Sequence, residues 1–423
     1  MTASKIDTFF SSTARWFTST GRWATVGLGI AIPLSTALDN LLLVLLLSVL
    51  VSNGRAVWQT VTHNPVARAS VLLFGALLLG MAYGITPLRQ AAGILGKYID
   101  LAFVPLLMVV ARDAVTRRRA MTGFVAVMLI TALLSWLVGL GILPVAKWMW
   151  HGCLPENPAI FRSSITQNIL MVYAAYLLAL HACETSAPAI KWWTAALAIF
   201  AGSNVLFMVS GKIGYLLLLV LLIYFFWRFL ARRLRNRGQK ISWYASTALG
   251  FLALMLVLGS YQTSPRLHAR MDEMVRDMQT WQPNMRNETS TGERLDFYYN
   301  TFSLVQQSPL VGLGTGGFPA AYAQQVQHTD VRPTRNPHNE YLMIMVQLGV
   351  AGLGLLLYLF YTQWRSATQL RGLFEQEAAR GLVLTIAITA LFNSPLLDHT
   401  EGLFFAFMSA MLFANIAPDK RNE

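Results

Sequence analysis

The sequence predicts an all-α polytopic membrane protein, about twelve transmembrane helices with one large helical loop on the outer face, and three observations carry that prediction. Of its 423 residues, 55% are hydrophobic and only 13% charged, more apolar surface than a water-soluble domain can bury. Mean hydropathy is positive, at +0.48. Apolar runs near the ~20 residues that a helix needs to cross a bilayer recur along the chain.

Taken in order, the expected spans cover roughly residues 23–37, 38–52, 69–85, 98–112, 121–141, 166–183, 192–209, 213–230, 241–260, 339–363, 381–396 and 402–417. The basic start (Lys5, Arg15, Arg22) runs into the first of them without a small-residue cleavage site, so it reads as an uncleaved first span. The chain then divides into spans one to nine (1–260), an outer loop (261–338), and the last three spans with a tail (339–423).

The formal net charge of +13 raises the question of nucleic acid, which the placement of the charges answers. With the amino terminus inside, the Arg117–Arg119 run and the cluster Arg232, Arg233, Arg235 and Arg237 fall on the inner face, as does the majority of the 33 basic residues. Charge of this kind records membrane topology and needs no nucleic-acid partner. Cys153 and Cys183 fall on opposite faces of the membrane in this topology, so neither a disulfide nor a cysteine–metal framework is expected.

Two outer loops are sizeable. The smaller, about 142–165, is rich in tryptophan and proline (Trp148, Trp150, Pro155, Pro158), which reads as an interfacial aromatic belt. The larger opens with Leu267, Met271, Met274, Met278 and Trp281 at helical spacing, an amphipathic helix. Ser290 and Glu293 then stand in capping-box spacing before the stripe Leu295, Tyr298, Phe302 and Val305, which puts Arg294 in the first turn of a second loop helix. A cation opposes the positive helix end there unless an anion is also present. Backbone N–H groups, dipole and guanidinium together fit a phosphate. The structural alternative is a solvated arginine paired with Glu293 or Asp296.

Ser210-Gly211-Lys212 reads as a tight turn between two spans that brings an ammonium to a helix start at the membrane boundary, an expensive place for a charge. Snorkelling to headgroups is the alternative. Arg162 and Arg266 are further outer-face cations beside spans. In Asn336-Pro337-His338 the asparagine suits an N-cap and the proline the first helical position, so His338 is expected in the first turn of a transmembrane helix. The positive helix end and nearby cations favour its neutral imidazole, which accepts a proton as a general base must. A histidine that is merely hydrogen-bonded at the interface is the competing reading.

The run Gly312, Gly314, Gly316, Gly317 lacks the strand-then-helix context of a dinucleotide fingerprint and reads as a tight reentrant or surface turn that allows close backbone approach. No cofactor is implied. The outer histidines show no metal-ligand spacing and the outer carboxylates are scattered, so no metal is assigned. Asp398, His399 and Glu401 form the other outer polar cluster, a hairpin rim in which Glu401 is also a candidate to orient His338 or to bind substrate.

Several of these motifs resemble the O-antigen ligase and polymerase superfamily of bacterial inner membranes. The resemblance rests on the Ser210-Gly211-Lys212 turn, Gly292-x-Arg294, the run from Pro309 through Gly316, His338-Asn339-x-Tyr341-Leu342 and Gly349-x-x-Gly352, and covers about residues 160–415. It implies about twelve spans, a large periplasmic loop, and transfer of a glycan from an undecaprenyl-diphosphate carrier to an acceptor hydroxyl in the inner membrane. With it His338 reads as base and Arg294 and Lys212 as diphosphate holders, Asn339 standing in support; Arg162 and Arg266 as helpers and Glu401 in support rest on their outer-face positions alone. Where family members commonly carry arginine, Lys212 keeps the charge without the bidentate fork. The ligase, with lipid A core as acceptor, is favoured over the polymerase because the smaller outer loop holds only Lys147 and Arg162. A twelve-span transporter is the alternative from another class; it would place its polar residues mid-span.

Overall fold

The computed structural model describes residues 3–236 and 265–416 apart from 286, with a few isolated positions between 255 and 262. The expected span 241–260 lies outside the described residues. Among those described, the chain is helical and forms no named strand. It divides into two compact units, residues 1–127 with 282–423, and residues 128–281.

The first unit holds α1 (Ala3–Leu34), α2 (Thr36–His63), α3 (Pro65–Tyr83), α4 (Leu88–Lys97), α5 (Asp100–Ala111) and the first half of α6 (Ala114–Gly139). The second unit holds the rest of α6, α7 (Ser164–Glu184), α8 (Pro188–Ser203) with a π-helical extension Asn204–Met208, α9 (Lys212–Asn236) and α10 (Pro265–Thr280). The chain then returns to the first unit for α11 (Ser290–Gln307), α12 (Phe318–Gln325), α13 (Glu340–Ser366), α14 (Leu373–Phe392) and α15 (His399–Phe413). The stretch 261–338 is thus shared between the units.

Seven helices among the described residues are long and apolar enough to cross a membrane, or eight if the bent pair Thr36–Leu50 and Ser52–His63 is one span. The sequence had suggested about twelve, and local chemistry explains much of the difference. At 15 residues α15 is ~22 Å long, short of a ~30 Å hydrocarbon core. Charged Glu375, Glu377 and Arg380 occupy the first half of α14, which ends at Phe392 because Asn393 is extended and Pro395 follows.

Helix α15 is the core of the first unit. It is buried all round, Phe404, Phe405, Phe407 and Phe413 completely, as a helix apolar on every face must be. It packs on α5, while α13 packs on α3 and α14. Asn64 ties this arrangement together: its Oδ1 caps α3 through the N–H groups of Val66 and Ala67, and its Nδ2 donates to the Phe413 carbonyl at 2.8 Å.

Helix α13 breaks at Gly349, where φ is +63°. Four backbone groups around the break are taken up by the glycine-run segment. Val350 and Ala351 donate to the carbonyls of Pro309 and Leu310, while Leu313 and Gly314 donate to those of Val346 and Gln347. The approach leaves no room for side chains. A Cβ on Gly349 would stand 2.2 Å from the Leu310 carbonyl carbon, and one on Gly314 would stand 2.1 Å from the Gly84 Cα. The glycines therefore serve close backbone approach in a buried position rather than a surface turn.

In the second unit, α7 is mostly buried against α8 and α9. The tryptophan-rich loop folds on itself through Trp150 N–H to the Ile160 carbonyl at 2.6 Å, over a core of Val138, Met149, Cys153 and Ile160. Cys153 is buried, Cys183 is exposed, and both are free thiols.

Candidate functional site

Helix α13 starts one residue beyond His338, and this corrects the sequence expectation. Asn339 is the N-cap, its Oδ1 accepting from Leu342 N–H at 3.0 Å. Asn336 forms an Asx turn instead, accepting from His338 N–H at 2.8 Å. Two asparagines compete for the cap, and His338 between them has φ +52°, a conformation no helical residue holds. A left-handed backbone on a non-glycine residue is strained and is held by its surroundings.

Those surroundings grip His338 on several sides. The Tyr298 hydroxyl, from α11, lies 3.2 Å from the His338 carbonyl and 2.9 Å from that of Leu391, so it bridges the two. The Phe297 ring stacks on the imidazole with centroids 5.9 Å apart. The imidazole Nδ1 is 3.1 Å from Asn393 Oδ1, just past the end of α14, and Asn393 Nδ2 donates in turn to Asp398 Oδ2 at 3.0 Å. A carboxylate only accepts, so it draws the asparagine NH2 toward itself and turns the carbonyl oxygen to the histidine. Nδ1 must then carry the proton, and the Nε2 lone pair is left open. Burial pushes the Asp398 carboxyl above the usual range, against the pull of His338, Asn393 and Lys97.

Beneath this chain Glu340, fully buried at the first position of α13, accepts from Tyr98 OH at 3.0 Å and from Leu396 N–H at 2.8 Å. It fastens the start of α13 to the same turn, Asn393–Asp398, that orients the histidine. Asn339 adds a tie from its Nδ2 to the Leu391 carbonyl at 3.1 Å.

Arg294 is likewise shifted from its expected place. Thr289, not Ser290, caps α11 by accepting from Gly292 N–H at 3.1 Å. The third helical position is thus a glycine, no capping box forms, and Arg294 opens the second turn. Its guanidinium donates to Ser290 Oγ at 3.1 Å. Asp296 is buried and takes up Asn287 Nδ2 at 2.8 Å. Burial holds the guanidinium below its usual pKa, with Tyr298 and Glu293 pulling the other way. With five N–H donors and one engaged, a half-buried arginine one turn before Tyr298 is fitted to receive an anion.

The other assigned cations belong to the second unit. Lys212 opens α9 after the Ser210-Gly211 turn and stands 4.0 Å from Glu273 of α10. Arg162 is buried just before α7. Arg266 lies in α10, and its side chain is outside the described residues. Glu401 is buried in the first turn of α15, and the place at His338 Nδ1 that the sequence offered to it is filled by Asn393. No cluster of metal-ligating side chains occurs among the described residues.

Sequence reasoning missed Asn393, Tyr298 and Glu340 and named Asp398 only as part of a rim. Asn393-Ser394-Pro395 after an apolar run carries the signal of an ordinary turn. Nothing in the spacing pairs it with a histidine 55 residues earlier.

Residues 196–357 match the family model Wzy_C, described as O-Antigen ligase. A search of curated proteins finds no match.

Proposed function

We propose that this chain, of which residues 196–357 match a family model described as O-Antigen ligase, is an O-antigen ligase that transfers a glycan from undecaprenyl diphosphate to the lipid A core on the periplasmic side of the inner membrane. The observation that carries this reading is the open Nε2 of His338, oriented by Asn393 and Asp398. That nitrogen takes the proton of the acceptor hydroxyl as its oxygen attacks the anomeric carbon, and the bond to the carrier diphosphate breaks with both electrons leaving on the phosphate oxygen. Arg294 holds the departing charge in the first unit. Asp398 is committed to Asn393 and Glu340 to Tyr98 and Leu396, so neither is free as a covalent nucleophile, and a single displacement inverts the anomeric configuration.

The break in α13 does not favour a transporter. Transporters break helices to expose backbone to an ion or substrate, whereas here the freed groups around Gly349 are bonded to Pro309–Gly314. The test is the lipid that accumulates when the gene is deleted. Polymerised glycan on the carrier supports the ligase. Single repeat units on the carrier make the protein a polymerase, and unchanged carrier pools remove both readings.

A further inference from the structure

On the far side of the Asn393–Asp398 turn, three oxygens face one point. A Cβ built on Gly402 would meet Asp100 Oδ2 at 3.1 Å, the Leu396 carbonyl oxygen at 3.2 Å and that of Pro395 at 3.5 Å. Asp100 is 2% exposed and neither of its carboxylate oxygens has a hydrogen-bond partner. The two carbonyls accept no hydrogen bond among the described residues either; the donors in this turn go to Ser394 and Asp398. Buried acceptors are normally satisfied, and three orphans converging on one point call for a shared positive partner.

A proton on Asp100 Oδ2 turns that oxygen into a single donor, which satisfies one of the two carbonyls and leaves the other bare. A water supplies two donors and leaves the carboxylate charge uncompensated. A small cation satisfies all three at once. Of the nearby titratable groups, Asp39, which is fully buried, lies within electrostatic reach of Asp100 and adds negative field. His399 stands 3.9 Å from Asp39 Oδ2, on the Asp39 side of the cluster. An ion must stand off the Gly402 Cα further than a bonded carbon does, which moves it toward the oxygens and the roughly 2.3–2.6 Å typical of hard cations.

We infer that Asp100, Pro395 and Leu396 form a site for a dehydrated hard monovalent cation, sodium being the natural probe, with Gly402 leaving the space. One carboxylate and two carbonyls match a single positive charge, and carbonyls of unwound backbone are groups that coordinate such ions. The consequence is structural. The ion fastens the turn whose other side carries Asn393 and Asp398, and whose Leu396 N–H holds Glu340. The site does not depend on the reaction assigned above.

The test is thermal unfolding of the purified full chain in detergent, in sodium chloride against choline chloride at equal ionic strength. Sodium should raise the midpoint saturably, and Asp100→Asn and Gly402→Ala should each lose that response. Gly402→Ala keeps the charge and fills the space, so it answers even where Asp100→Asn fails to fold. Should neither variant fold, radioactive sodium must bind the parent at about one ion per chain at saturation. A parent that shows no sodium-specific rise, or responds to pH alone, overturns the proposal. So does an equal rise in both variants, or an absence of bound sodium.

Discussion

Two residues at α13 hold the backbone in the left-handed region, Gly349 at φ +63° and His338 at φ +52°, for opposite reasons. At Gly349 the space of a side chain is filled by the Leu310 carbonyl, and only glycine fits. At His338 the side chain is present, stacked and hydrogen-bonded, on a backbone that glycine would hold more easily. The first irregularity is dictated by packing. The second is kept for what the imidazole does.

Substitution at these two positions breaks the comparison most sharply. His338→Gly should lower transfer by about 10²–10⁴ through loss of a positioned base. Relief of the ~1–2 kcal/mol left-handed cost should largely offset the lost ring contacts, so that its melting temperature stays near the parental one. Donor binding by the purified variant should persist. Gly349→Ala should do the reverse. A Cβ against the Leu310 backbone combines overpacking with left-handed strain, about 3 kcal/mol or more of stability, visible as a lower melting temperature.

The glycine side of this comparison was legible in the sequence and the histidine side only in part. The glycine run was read as close backbone approach, whereas Gly349 entered only through the Gly349-x-x-Gly352 motif; the structure joins the two. His338 stood out as a histidine between two asparagines, but the cap was assigned to Asn336 because Asn-Pro is a strong start signal. The Asx turn that displaced it forms from the same residues. The count of about twelve spans is not confirmed among the described residues, where α14 is charged in its first half and α15 is short, and both are buried by neighbours. Asn393 was invisible because its role exists only once α14 and the start of α13 are side by side.

Smaller effects sharpen the assignment of roles. Asn393→Leu keeps the volume and removes the acceptor at Nδ1, so transfer should fall by roughly 10–100-fold with donor affinity unchanged. Kinetics on purified protein would show this as a loss in kcat without a rise in KM. Arg294→Ala should weaken donor binding by about tenfold, the scale of one lost charge-assisted hydrogen bond of ~1.5 kcal/mol, and titration with the polyprenyl-diphosphate carrier reads it directly. A normal donor affinity in that variant would return Arg294 to the role of a surface arginine.

The central claim is that His338 presents a bare Nε2 because Asn393, turned by Asp398, holds the proton on Nδ1. Ring-nitrogen NMR of histidine-labelled protein above the imidazole titration tests it, with the His338 signals among the 7 histidines identified by their loss in His338→Gly. The account predicts a protonated Nδ1 and an unprotonated Nε2, and a shift toward mixed tautomers in Asn393→Leu. A proton found on Nε2 in the parent would contradict it.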